Sequence, residues 1–260
     1  MLKKYLHNRI TKIKNIKLQK YTFKEHFIEL KKRLLRVIFC FILFFGISYW
    51  FKENIYDFFL KPLVDLSGAT DRKIIYTGLA EAFFSYIKLS IFVAFSSTLP
   101  FICYQIYAFI SPGLHAFEKR IVLTVLAFSP ILFYCGSFFV FYFVMPRAWG
   151  FFLSYENTNI SIPLVMEARI SEYLSLVIQL TVAFGSAFQL PIIIVILGVL
   201  GLVNSAGLKR QRRVAIVIIF IVAAIFTPPD VISQIALAIP LLILYEVSIM
   251  LCKLVENRGH

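Results

Sequence analysis

The side chains able to do chemistry are few in this chain and widely spaced. Four cysteines (Cys40, Cys103, Cys135, Cys252) form no CxxC pair, so neither a disulfide framework nor a thiolate metal site is expected. Four histidines (His7, His26, His115, His260) lack HExxH or any other ligand spacing. No nucleophile with its base, phosphate loop or paired-carboxylate hydrolase pattern is visible, so neither enzymatic activity nor a cofactor is expected. Three sets of polar residues remain. Glu29 and Glu118 stand in strongly basic surroundings, and two carboxylates could hold two guanidiniums as charge-assisted pairs. The competing reading satisfies each locally, Glu29 with Lys32 or Arg33 and Glu118 with nearby basic residues. Lys88, Gln189 and Glu246 interrupt apolar runs, where ionisable groups are functional candidates by default. Lys88 and Glu246 lie near run ends and can snorkel, whereas the Gln189 amide wants a partner helix. Thr227, Asp230 and Gln234 gather around a Pro228-Pro229 turn, as a docking spot or, for Thr227 and Asp230, as caps.

The elements that carry these groups follow from composition. The chain has 260 residues, 60% apolar and 16% charged, with mean hydropathy +0.81. A soluble domain is about 45–50% apolar and about 25% charged. A folded surface needs polar cover, which excludes a soluble enzyme, a disordered chain and a disulfide scaffold. An all-α polytopic membrane protein fits, with about 20 mostly apolar residues for each crossing. The apolar runs predict spans over 34–51, 82–110, 121–145, 170–203, 214–226 and 231–251. No signal peptide is evident before the first. Between the first two, Ile55, Phe58, Phe59, Leu63 and Leu66 recur at helical spacing, predicting a short helix on the membrane surface. Pro62, Pro100, Pro191 and Pro240 interrupt apolar stretches and are expected to kink or pack. Pro146 is expected to break the third span from the aromatic stretch that follows.

The run over 214–226 covers about 20 Å, short of the roughly 30 Å hydrocarbon core, so it either crosses a thinned bilayer or re-enters. Charge decides between them. With six crossings, 20 of the 27 Lys and Arg residues fall on the side holding both termini, and six on the other. Basic residues concentrate on the cytoplasmic side, so six helices with both termini cytoplasmic, helices five and six being short, is the predicted fold. The net charge of +13 then records orientation, and no nucleic-acid partner is expected. The implied layout is a basic tail over 1–33, a membrane domain over 34–251 and a tail over 252–260. The basic tail suits contact with anionic lipids.

Four segments carry a family resemblance: HFIELKKRLL (His26–Leu35), FISPGLHAFEKR (Phe109–Arg120), FGSAFQLP (Phe184–Pro191) and TPPDVISQIALAIPLLILYE (Thr227–Glu246). In order and spacing they resemble the TatC family, the multi-spanning receptor of the twin-arginine protein translocase. The resemblance implies binding of twin-arginine signal peptides on folded cargo proteins. It also implies assembly with the single-span partners TatA and TatB and with further copies of the chain, driven by the proton motive force. Through it Glu29 and Glu118 would hold the signal's arginines, with Lys31, Lys32 and Arg33 as the basic stretch beside the first acid. Phe109 and Pro112 would flank the cytoplasmic turn, Pro62 would lie in the first outer loop, and Pro191 and Pro229 would be structural. Thr227, Asp230, Gln234 and Gln189 would receive partner helices. Two positions depart from the family pattern: Gln189 stands where many members have Glu and cannot titrate, and Lys31 replaces a frequent Arg. The implied location is a bacterial inner membrane or an organellar one. The main alternative is an ion-coupled secondary transporter relaying charge through Glu246, Lys88 and Asp230; it should show a repeat with broken helices, and no repeat stands out. An intramembrane enzyme would need a nucleophile–base pair or metal motif.

Overall fold

The computed structural model describes residues 23–67, 74–156, 167–226 and 231–259. The expected sites Thr227, Pro229 and Asp230 lie outside them, as does most of the basic tail. Helix α1 (Phe23–Trp50) opens well before the apolar run predicted it would. Residues 28–35 are mostly Leu, Lys, Glu and Arg, all strong helix formers, so the helix continues into the polar segment. Glu25 in its first turn complements the helix dipole. Only 6% of its apolar window is buried, and Leu34, Phe39, Ile42 and Trp50 are exposed. Such surface is stable against lipid tails, which are as apolar as leucine. The face that is covered packs on α3 (Glu81–Ile110).

Between them, α2 (Lys52–Ser67) contains Pro62 and docks on the bundle through Ile55, Tyr56, Phe59 and Leu60. The Tyr173 hydroxyl donates to the Phe59 carbonyl (2.7 Å), and Phe58 stacks on Phe141 at 4.8 Å. The predicted surface helix is therefore packed into the fold. A short 3-10 turn (Ser111–Gly113), opened by Pro112, leads from α3 to α4 (Ala116–Phe139). The break expected at Pro146 is absent. A π-helical turn (Val140–Val144) joins α4 to α5 (Met145–Leu153), and Pro146 occupies the opening turn of α5. There its missing N–H removes no helical bond, and the wide turn absorbs the change of register.

The fourth span divides into α6 (Ile170–Ala187) and α7 (Leu190–Val199), separated at Phe188–Gln189 with Pro191 in the first turn of α7. Asn204 caps the short α8 (Ser205–Arg210) by accepting from Gly207 N (2.7 Å). Helix α9 (Arg212–Phe226) has 15 residues, about 22 Å of rise against a core of roughly 30 Å. Helix α10 (Val231–Gly259) runs unbroken past the predicted end at 251. Five helical stretches are long and apolar enough to cross a membrane, and α9 is the short sixth crossing.

Both ends of the bundle are tied. At the basic end the Glu256 carboxylate of α10 accepts from Ser205 N (2.6 Å) and Ser205 Oγ (2.5 Å). Arg212 pairs with Glu246 (2.7 Å), and the Tyr245 hydroxyl donates to the Leu208 carbonyl (2.9 Å). His26 of α1 stacks on Phe109 of α3 at 5.0 Å. The start of α1, the 111–115 turn, the 204–212 loop and the last turns of α10 thus share one end. At the other end Ile75 and Arg169 form a parallel bridge. The Glu81 carboxylate knots it, accepting from Thr77 N (2.8 Å), Gly78 N (3.1 Å) and Ser171 Oγ (2.6 Å). Nothing in the spacing of the sequence had singled out Glu81 or Glu256 for these clasps.

Candidate functional site

Glu29 sits on the first turns of α1, half-buried, facing α3. Arg33, one turn further, donates to Glu29 Oε1 from Nε (3.0 Å) and from Nη2 (2.5 Å). The same guanidinium reaches across to α3, from Nη1 to Gln105 Oε1 (3.2 Å) and from Nη2 to the Ala108 carbonyl (3.0 Å). The second oxygen of Glu29 lies 4.0 Å from His26 Nδ1, whose ring covers Phe109. Glu29, Arg33 and Phe109 are therefore one cluster, while Lys31 and Lys32 are exposed beside it. Below the cluster an apolar hollow of about 210 Å³ opens between α1 and α3, lined by Leu30, Leu34, Gln105, Ile106 and Phe109. Of the two local partners read for Glu29, the structure selects Arg33. Gln105, buried in the second span, was not anticipated; an amide inside an apolar run was the available signal, the same one that drew attention to Gln189.

Glu118 occupies the first turn of α4 and closes a capping box. Its Oε2 accepts from His115 N (2.8 Å) and lies 3.2 Å from His115 Nδ1, which satisfies helix-end N–H groups reciprocally. Of the nearby residues read as local partners for Glu118, the structure selects His115. Pro112, at the start of the preceding 3-10 turn, fixes the chain's entry into this corner. Glu118 and His115 face a cavity of about 400 Å³ whose far wall is Gly198, Val199 and Glu256. Glu29 and Glu118 lie at the same end of the bundle, each with its own partner.

Within the bundle, Gln189 forms the corner between α6 and α7. Its Oε1 accepts from Ser129 Oγ (2.6 Å) and its Nε2 donates to the Ser129 carbonyl (2.8 Å); Cys103 Sγ donates to the same hydroxyl (3.3 Å). The partner helix this amide wanted is α4 of its own chain. Gln189→Leu removes both bonds, and unfolding in detergent should show a loss of about 1 kcal/mol, the scale of interhelical hydrogen bonds in membrane proteins. Gln234, on the first turns of α10, donates to the Phe220 carbonyl of α9 (3.1 Å) and so pins the short fifth helix to the sixth. Glu246 is paired with Arg212 at the basic end, and Lys88 is exposed. Among the described residues no group of three or more metal-ligating side chains gathers.

An all-α bundle of six crossings, with carboxylates held in hydrogen-bonded corners at its basic end, defines a polytopic membrane protein. The family model of the Sec-independent protein translocase protein (TatC) matches residues 25–240. The chain is 58% identical to the Sec-independent protein translocase protein TatC of Rickettsia prowazekii over 237 residues, 91% of this chain and 94% of that one. The Escherichia coli protein of the same name is 36% identical, with 90% and 89% covered. A crystal structure of the twin arginine translocase receptor TatC superposes with a TM-score of 0.73 at 35% identity, over 89% of this chain and 100% of that one. The chain belongs to the TatC family of Sec-independent protein translocase proteins.

Proposed function

We propose that this chain recognises export signals by their paired arginines, with Glu29 and Glu118 as the two acceptors. The observation that carries the reading is that both carboxylates lie at the end of the bundle where Lys and Arg gather. Such a surface repels cationic peptides in general and admits one only where carboxylates are presented, so charge and position select together. Phe109 and the apolar hollow beside Glu29 offer contact to side chains next to the arginines. Lys31 and Lys32 flank the site and disfavour additional cations. The basic end faces the cytoplasm, with both termini on that side, because Lys and Arg accumulate there. The membrane is a bacterial inner membrane, and the basic composition of the residues ahead of α1 suits contact with its anionic lipids. Single-span TatA- and TatB-type partners dock around Gln234 at the opposite end, where α9 is short and the bilayer must thin, and the resemblance adds Thr227 and Asp230 to that assignment. Gln189 contributes from within the bundle by holding the α6–α7 corner. Several copies of the chain assemble with them, and the proton motive force drives transport.

Photocrosslinkers placed at Lys32 and at Phe117, beside the two carboxylates, test the reading on the full-length protein in membranes. A signal peptide with Arg-Arg should label both positions, and its Lys-Lys counterpart should label them far less. Equal labelling by the two peptides would overturn it, because a lysine ammonium cannot present the planar donor set of a guanidinium.

A further inference from the structure

Glu29 already carries a guanidinium. Arg33 approaches it with two donors, Nε and Nη2, at 3.0 and 2.5 Å, as an arginine of a bound peptide would. Arg33 is mostly buried, with 18% of its side chain exposed against 26% for Glu29, so the pair is only partly screened by water. Both donors go to Oε1, so while Arg33 stays a second guanidinium must share one half-buried carboxylate with a cation already seated on it, which disfavours its entry. Arg33 has somewhere else to go. Its Nη1 and Nη2 are bonded to Gln105 Oε1 (3.2 Å) and the Ala108 carbonyl (3.0 Å) on α3, and Gln105 is 6% exposed. Releasing Glu29 therefore costs Arg33 its ion pair but leaves the guanidinium hydrogen-bonded to two neutral acceptors on α3.

We propose that Arg33 is an internal competitor for Glu29, and that ligand binding at this carboxylate is an exchange of guanidiniums in which Gln105 and the Ala108 carbonyl retain the displaced Arg33. The proposal rests on the assignment of Glu29 as a signal-arginine acceptor and adds a specificity rule to it. An incoming group must outbid a guanidinium that makes two bonds. A second guanidinium can match those bonds, and an ammonium, a point charge without the planar fork, matches them poorly. Discrimination between arginine and lysine pairs is then set in part by the occupant of the empty site. The apparent affinity is lowered by the fraction of molecules in which Arg33 covers Glu29.

Two substitutions read this with opposite signs. In Arg33→Lys the charge is retained but the two-bond hold on Glu29 is lost. The detergent-solubilised full-length protein should bind an Arg-Arg signal peptide more tightly, about threefold to tenfold, and a Lys-Lys peptide should gain more, so that the ratio between them shrinks. In Gln105→Leu the alternative acceptor is lost, Arg33 is confined to Glu29, and Arg-Arg binding should weaken by a similar factor. In the double variant the Gln105→Leu effect should vanish, since no guanidinium remains to be retained; such non-additivity identifies residues acting on one exchange. Weaker Arg-Arg binding in Arg33→Lys with an unchanged ratio would overturn the competitor role, as would a Gln105→Leu effect that persists in the double variant. Equal binding of the two peptides by the unsubstituted protein would instead overturn the assignment of Glu29 itself, so the two failures are distinct. Should Arg33→Lys not accumulate, Gln105→Leu alone still decides: unchanged or tighter Arg-Arg binding overturns the exchange.

Discussion

Glu29→Gln and Glu118→Gln each lower the affinity for a twin-arginine peptide about tenfold to a hundredfold, and the double variant no longer separates Arg-Arg from Lys-Lys. The magnitude follows from hydrogen bonds to charged groups, worth about 1.5–3 kcal/mol each, where about 1.4 kcal/mol is a factor of ten. Glutamine is the informative replacement at both positions because it isolates charge from fold. At 118 the amide oxygen can still accept from His115 N, the bond that closes the capping box, since Gln serves at this position as well as Glu. At 29 the amide oxygen can still accept from Arg33. Fluorescence anisotropy of a labelled peptide on the solubilised protein measures the affinities, and unfolding midpoints close to the parent's show that the bundle is intact. Affinities unchanged by both substitutions would remove the two carboxylates from recognition.

Gly136→Val has the largest expected effect on stability. A Cβ at this position would lie 2.9 Å from the Phe184 carbonyl oxygen and 3.1 Å from Gly185 Cα. Both neighbours are backbone of α6, which cannot rotate aside as a side chain can. From the other side, a Cβ on Gly185 would meet the Phe133 ring at 2.5 Å. Glycine facing glycine is what lets α4 and α6 approach this closely, and the contact fixes the crossing on which the Ser129–Gln189 bonds depend. Overpacking costs about 1–3 kcal/mol, and a β-branched residue against backbone belongs at the upper end. The unfolding midpoint should fall by about 5–10 °C. Gly46→Val is the control. Nothing lies within 4 Å of a Cβ at Gly46 on the lipid-facing α1, and its midpoint should move little. Equal shifts in the two variants would refute the close-crossing account.

Different parts of the protein were legible to different degrees. The six crossings could be read because each is a contiguous apolar run whose length is set by the bilayer, and the short fifth run is a 15-residue helix. Boundaries were less legible. Helix α1 extends through Lys31, Lys32 and Arg33, and α10 through Lys253, because helical propensity and neighbouring contacts outlast the apolar run. Pro146 was misread for a related reason: proline breaks a helix only where its N–H is needed, and a π-turn followed by a new first turn removes that need. Glu29 and Glu118 stood out as acids in basic segments, and two of the four segments that carry the resemblance to the TatC family contain them.

The sequence by itself determined the class of protein, the number of crossings, the end on which basic residues gather and the identity of the rare polar groups. All of these depend on composition and on residues adjacent along the chain. Only the tertiary structure decided the partners of the polar groups that bond from one helix to another. Gln105 lies 72 positions from Arg33, and Ser129 lies 60 from Gln189, so no local spacing foretells either bond. Arg33 reaches Glu29 by its local spacing of four residues, and it is helix packing that ties the same guanidinium to Gln105 and the Ala108 carbonyl of α3.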